Sequence, residues 1–352
     1  MALNKVEKRR LHDCRLLVFT LAVLFGTACV PGAPPVTYSV MPSALTPVDG
    51  DRNKAKDFAR VFCSTLPHLK DKDGRKWAEC AKYLETSEAS QAQAAFATSY
   101  RFLIVAGLGG DCLKDVRAFS TSIAHLKAEH QVDVEYFAVA PFGSSSENGT
   151  SIAKHINEGW AADQKRRYVL VGYSKGAADL LEAMRLLDAP KTRVAAVVTI
   201  AGIVGGLWST DDLQPLMQPS RPWMAPSCPG NVQDGVLTLT RELRQRFLRD
   251  NALPVPGYSI VAASSLDDTS AVLRQTWRRL SVHAREQDGI AVAWEAMLPG
   301  GKYLGTARAD HWAIALPFEE SAHPPKAIDR NHFPRDALLE AIVRFVSADL
   351  GS

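Results

Sequence analysis

The sequence predicts an α/β layered domain, a mainly parallel sheet with helices on both faces and one inserted cap segment. Three observations carry this. Short apolar runs recur at 101–106, 132–138, 168–171, 194–200, 258–263 and 303–307, apolar on both faces as doubly covered strands must be. Helix-period stretches at 116–129, 152–162, 177–187 and 271–280 lie between most of them and supply the crossovers that parallel pairing needs. With 352 residues, 46% apolar and 22% charged, the chain has ample material for a packed core, which excludes disorder and fibrous repeats.

In chain order, Lys5, Lys8, Arg9, Arg10 and Arg15 face only Glu7 and Asp13, so residues 1–28 carry the whole formal charge of +3. The remainder is neutral and has no basic patch, which argues against nucleic acid and for a small, mostly uncharged ligand. The basic start, the apolar run 16–25 and the small residues Gly26, Thr27 and Ala28 before Cys29 read as a signal peptide over 1–28, too short to span a bilayer comfortably. Small residues before a cysteine resemble the bacterial lipoprotein cleavage site, which implies a lipidated Cys29 and membrane attachment. Gly26 stands where that site has an aliphatic residue, so plain secretion and an uncleaved anchor stay open. The expected location is exported, either periplasmic or anchored in a bacterial cell envelope.

A Pro-rich tether over 29–50 leads into an N-terminal segment, 51–95, expected to be helical over 51–85. With Cys14 and Cys29 set aside, four cysteines remain. Cys63 and Cys80 could staple a helical hairpin about the turn 70–74, and Cys112 and Cys228 could tie a core loop to the insertion; four free thiols are the alternative. No Cys and His spacing resembles a zinc site and HExxH is absent, so neither a metal nor a cofactor is expected. The layered domain runs over 96–352, and its rhythm breaks at 205–257. Pro215, Pro219, Pro222, Pro226 and Pro229 are followed there by the amphipathic set Val236, Leu239, Leu243 and Phe247, read as a cap. Trp208, Leu213, Leu216, Met217, Trp223 and Met224 would either cover a site in a way that favours an acyl chain or simply pack the cap onto the sheet. Arg241, Arg244, Arg246 and Arg249, on the other faces of the cap helix, would meet an anionic membrane or solvent.

Gly172-Tyr173-Ser174-Lys175-Gly176 follows the run 168–171 and precedes the helix pattern from Ala177, so G-x-S-x-G stands in strand–turn–helix context. A serine nucleophile needs that sharp turn to lift its hydroxyl above the sheet edge, and flanking glycines let strand and helix approach. A serine needs a base, and the base needs an orienting carboxylate, in the chain order Ser, acid, His. His311 lies just beyond the last apolar run. His125, His130 and His155 precede the serine, His283 precedes the favoured acid, and His323 and His332 sit in a Pro-rich stretch with no strand before them. Asp288, followed by Gly289, is the favoured acid; Asp267 and Asp268, directly after 258–263, compete, and Asp310 adjoins the base. Oxyanion donors are expected from the backbone of Lys175 and of Leu108 in Ala106-Gly107-Leu108-Gly109-Gly110-Asp111. The glycine spacing of that loop does not fit a dinucleotide phosphate cradle.

These phrases, with Ala309-Asp310-His311-Trp312-Ala313 and the closing Phe333-Pro334-Arg335-Asp336-Ala337-Leu338-Leu339-Glu340, resemble the α/β-hydrolase superfamily, and most of all a poorly characterised bacterial esterase/lipase-like group. Asp288-Gly289 is similar to the acid position of secreted bacterial lipases, with Gln287 where those have Asn; Ala106 stands where many relatives of the fold have His. The resemblance implies a serine carboxylic-ester hydrolase acting through an acyl-enzyme on Ser174, its partner a small apolar acyl ester. The alternatives are an acyltransferase or an amide or thioester hydrolase with the same triad, or a non-catalytic cell-envelope lipoprotein.

Overall fold

Six strands form one sheet in which every neighbouring pair is parallel: β1 (Tyr100–Val105), β2 (Val134–Tyr136), β3 (Arg167–Tyr173), β4 (Val194–Ile200), β5 (Gly257–Ala263) and β6 (Lys302–Arg308), in the order β2-β1-β3-β4-β5-β6. The computed structural model describes residues 50–85, 99–211, 213–225 and 227–351. The expected signal peptide, Cys29 and the tether up to residue 49, together with 86–95 of the N-terminal segment, lie outside the described residues. The chain first winds outward from β1 to β2 and then returns to β3 on the other side of β1. That reversal opens a crevice at the carboxyl ends of β1 and β3, where ligands of open α/β sheets bind.

Period-2 alternation divides the strands between two cores. Phe102, Ile104, Val169 and Val171 face a cluster with α1 (Ala55–Thr65), α2 (Ser120–His130) and the last helix of the chain. Leu103, Val105, Tyr168 and Leu170 face α3 (Ser145–Ala162) and α4 (Lys175–Leu186). A single turn, α5 (Pro190–Arg193), leads into β4; α6 (Val232–Leu237) and α7 (Arg241–Asp250) belong to the cap; α8 (Arg274–Leu280) follows β5; and α9 (Arg335–Gly351) closes the chain. No helix among the described residues is long and apolar enough to cross a membrane.

Several elements differ from expectation, each for a local reason. The segment 51–85 is not helical throughout: α1 passes at Leu66 into a 3-10 turn, Leu66–His68, and then irregular chain, and the second arm of the expected hairpin is one 3-10 turn, Cys80–Lys82. Cys63 and Cys80 nevertheless form a disulfide, Cα to Cα 5.3 Å. Helix α2 starts at Ser120 rather than 116 because Phe119 is left-handed, φ 55°, and gives its N–H to Ala315 O at 2.9 Å. Helix α3 starts seven residues early, at a capping box in which the Ser144 hydroxyl accepts from Glu147 N–H and the Glu147 carboxylate accepts from Ser144 N–H. The cap helix is broken at Thr238–Thr240 into α6 and α7. Arg244 leaves the solvent face: it is buried, lies over the Phe247 ring and donates to Val204 O, so it is no membrane contact.

The cap is held to the turn between β5 and β6 by a backbone bond and a buried ion pair. Gly205 N–H donates to Glu295 O, and the buried Glu295 carboxylate accepts from Arg241 Nε at 2.6 Å. Burial pushes the Glu295 carboxyl up to about 7, against the pull of Arg241. A carboxyl raised on folding binds its proton more tightly in the native state, so its stabilising contribution is full below its ordinary pKa and is lost as pH rises toward 7. Chemical denaturation between pH 4.5 and 7.5 is expected to show that decline, about 3 kcal/mol from this one group, and Glu295→Gln is expected to flatten it.

Candidate active site

Only Ser174 separates the end of β3 from the start of α4. The chain turns there at φ 54° and ψ −125°, a conformation that costs about 1–3 kcal/mol for a residue with a side chain. Three backbone hydrogen bonds fix it: Ser174 N–H to Ile200 O at 3.2 Å, Ile203 N–H to Ser174 O at 2.9 Å and Ala177 N–H to Ser174 O at 3.1 Å. The glycines permit the contacts around it. A Cβ on Gly176 would stand 2.3 Å from Val105 O, one on Gly172 would stand 2.7 Å from the Ala177 backbone, and one on Gly107 would stand 2.7 Å from Ser174 Cβ.

His311 lies three residues beyond β6, with its backbone anchored on both sides. Its N–H donates to Asp288 O at 2.8 Å, and its carbonyl accepts from the Tyr173 hydroxyl at 2.7 Å. Burial near Asp288 and Asp310 pushes the Tyr173 phenol well above its ordinary pKa, so it remains a donor. The ring reaches Ser174 Oγ through Nε2 at 2.8 Å and Asp288 Oδ2 through Nδ1 at 2.7 Å. An Nδ1–H given to the carboxylate leaves Nε2 free to accept from the serine hydroxyl. Asp288 is aimed by its own turn: its Oδ1 accepts from Ile290 N–H at 2.9 Å and Ala291 N–H at 2.7 Å, and Gly289 supplies φ 93°. Gln287 caps the same turn, its Oε1 accepting from Gly289 N–H at 2.6 Å. Ser174 keeps 8% of its surface exposed and Asp288 only 1%, so an incoming molecule meets the hydroxyl and not the acid.

The competing carboxylates go elsewhere. Asp267 and Asp268 are exposed; Asp268 accepts from Ser265 Oγ, and the Asp267 carbonyl accepts from Arg330 Nε. Asp310 points away from its neighbour's ring and takes the N–H groups of Trp312, Ala313 and Ser270 at 2.8–3.0 Å; burial pushes its carboxyl up while those donors pull it back. The other histidines weighed in the sequence are also outside the cluster: His125 and His130 meet Glu340, His155 meets Glu135, His283 stacks on Trp208 and His332 on Trp77, and His323 is exposed. Neither the Tyr173 hydroxyl nor the Asp310 brace was anticipated; a tyrosine directly before an elbow serine and an acid directly before the base are the only signals of them.

Leu108 and Lys175 both carry backbone N–H groups without a hydrogen-bond partner among the described residues, whereas Gly109 N–H is given to Pro141 O and Gly110 N–H to Gly107 O. The Lys175 ammonium is turned away into a buried pair with Asp179 at 2.6 and 2.8 Å, where Asn148 Nδ2 also donates at 2.8 Å. This pair fixes the first turn of α4 directly beneath the serine.

A narrow cleft meets the hydroxyl, with Leu108, Leu113, Leu213, Met217, Leu239 and Leu316 among its walls. The cap residues serve both expected ends at once: Leu213 and Met217 line the cleft, while Leu216, Trp223 and Met224 are buried in packing, with Trp223 against Trp312 at 5.5 Å. Trp208 departs from the mouth, because Leu207 N–H pairs with Leu239 O and carries the indole to Arg241 and His283. A disulfide between Cys112 and Cys228 ties the Leu108 loop to the cap beside backbone bonds from Lys114 to Trp223 and from Ala225 to Cys112.

A doubly covered parallel sheet with a strained serine at a strand–helix elbow defines the α/β-hydrolase fold. The structure of a metagenomic carboxyl esterase is similar over 90% of this chain and 98% of that one, at 28% identity and a TM-score of 0.72. A lipase of Bacillus licheniformis in its mature form is similar over 61% of this chain and 86% of its own, at 19% identity and a TM-score of 0.48. No model of a known protein family matches the sequence, and no curated protein matches it.

Proposed function

We propose that the protein is a serine carboxylic-ester hydrolase that works through an acyl-enzyme on Ser174. The observation that carries this reading is the unbroken hydrogen-bonded line from Ser174 Oγ through the His311 imidazole to Asp288, opening on an apolar cleft. Ser174 Oγ attacks the ester carbonyl while Nε2 takes its proton; the imidazolium, held by Asp288, then protonates the departing alkoxide. Water repeats the sequence in reverse roles and frees the acid. The N–H groups of Leu108 and Lys175 receive the negative oxygen of each tetrahedral intermediate, a contribution of order 3 kcal/mol per donor. The likeness to the carboxyl esterase supports the same reaction class.

Among the described residues, no ionised carboxylate, lysine or arginine lines the cleft, which favours an acyl chain over a sugar acid or a charged metabolite. Each methylene taken from water is worth about 0.8 kcal/mol, so kcat/KM for p-nitrophenyl esters is expected to climb by up to about fourfold per carbon until the cleft is filled. A profile that is flat or falls from acetate onward would contradict the acyl-cleft assignment. Running the panel with an added alcohol separates hydrolysis, which leaves only free acid, from transfer, which yields a new ester. Export, with Cys29 as lipid anchor, completes the proposal; it rests on the N-terminal sequence, and a palmitate label retained by wild type and lost in Cys29→Ala would support it.

A further inference from the structure

We propose that His125, His130 and Glu340 form a zinc(II) site that ties α2 to α9, with water in the remaining coordination position. The ligands come from distant parts of the chain, so no local spacing announces them. Here topology assembles them, because α2 and α9 pack side by side and place residues more than 200 positions apart on one spot. His125 Nε2 lies 2.8 Å and His130 Nε2 3.2 Å from the same oxygen, Glu340 Oε2, and all three ligand atoms fall within 4.8 Å of one another. Ligands of tetrahedral zinc, each about 2.0–2.1 Å from the ion, stand about 3.3 Å apart. Opening the carboxylate side by a few tenths of an ångström, and turning the two exposed-edge imidazoles so that their nitrogens reach the same spacing, admits the ion.

The surroundings suit a cation. Glu340 Oε1 is held by Arg344 Nε at 2.8 Å, which orients the carboxylate and leaves Oε2 for the centre of the cluster, as an outer-sphere partner does in metal sites. Asp336, one turn earlier on α9, is fixed by the hydroxyls of Thr121 and Ser122 and adds a second negative charge nearby. His130 is the last residue of α2, where the helix presents the negative end of its dipole. The imidazoles are 18% and 22% exposed, so an ion can reach them and water can complete its shell, while Glu340 beneath them is 6% exposed. Two imidazoles and a carboxylate are a donor set suited to zinc. On binding, the ion replaces the protons shared between the rings and Oε2; each neutral ring keeps one proton, on Nδ1.

The cluster contains none of the triad residues, so the prediction is independent of the proposed reaction. Chelator-stripped full-length protein, titrated with Zn²⁺ alone by calorimetry and by equilibrium dialysis with metal analysis, is expected to bind one ion. His125→Ala and His130→Ala should each weaken that binding at least 100-fold while leaving ester hydrolysis unchanged. His311→Ala should retain the ion, which separates this site from the triad imidazole. At a hundredfold excess over Kd, zinc should raise the wild-type Tm by on the order of 5 °C. Co²⁺ in the unmodified chain should give the visible absorption of a four-coordinate ion, a readout that needs no variant to fold. Wild type that takes up no zinc, or binding that survives in both histidine variants, would overturn the site and leave the cluster as a histidine–carboxylate pair.

Discussion

Ser174→Ala is expected to lower kcat/KM for the best p-nitrophenyl ester by about 10⁵- to 10⁶-fold, the loss typical when the nucleophile of a serine triad is removed. The hydroxyl is bonded to the His311 ring, alanine keeps the Cβ, and the bonds that hold the elbow come from main-chain atoms, so the fold does not depend on the hydroxyl. The Tm of the variant should stay within a few degrees of wild type. Activity that persists above about one per cent would mean that another group performs the chemistry, while an inactive wild type with the same fold would favour a binding or scaffold role.

Asp288→Asn is expected to cost about 10⁴-fold in kcat, with much less change in KM. The amide oxygen can still accept from Ile290 and Ala291 N–H, so the turn keeps its shape, but the amide nitrogen then faces His311 Nδ1. A donor in that place drives the ring proton to Nε2, where it points at Ser174 and can no longer take the hydroxyl proton. The same substitution at Asp267 or Asp268 should leave kcat within twofold, because both side chains are exposed and the ring's Nδ1 is given to Asp288. Pairing the three variants decides which carboxylate orients the base: a large loss at 267 or 268, with Asp288→Asn near wild type, would reverse the assignment.

The sheet was legible because strands buried on both faces are continuous apolar runs, and all six expected runs overlap the six strands. The pattern G-x-S-x-G could be read for the same reason that it works, since Gly172 and Gly176 stand where any side chain would strike backbone. What could not be read was geometry set by packing. Helix α9 carries buried Leu338, Leu339, Ile342, Val343 and Phe345 on several faces, so it has no amphipathic period to announce it. The early start of α3 is written in the Ser144 and Glu147 capping pair and not in apolar spacing, since the first buried aliphatic of the helix is Ile152. Trp208 and Arg244 belonged to an insertion whose path no local pattern fixes. The His125, His130 and Glu340 cluster joins helices from opposite ends of the domain, which no spacing rule can bring together.

The account depends on a serine made nucleophilic by its surroundings, and an activated serine can be titrated covalently. Intact-mass measurement after brief exposure to a fluorophosphonate, followed by peptide mapping, should find a single adduct on Ser174, absent from Ser174→Ala and slowed by several orders of magnitude in Asp288→Asn. A wild-type mass that stays unmodified, or an adduct mapped to any other residue, would contradict it.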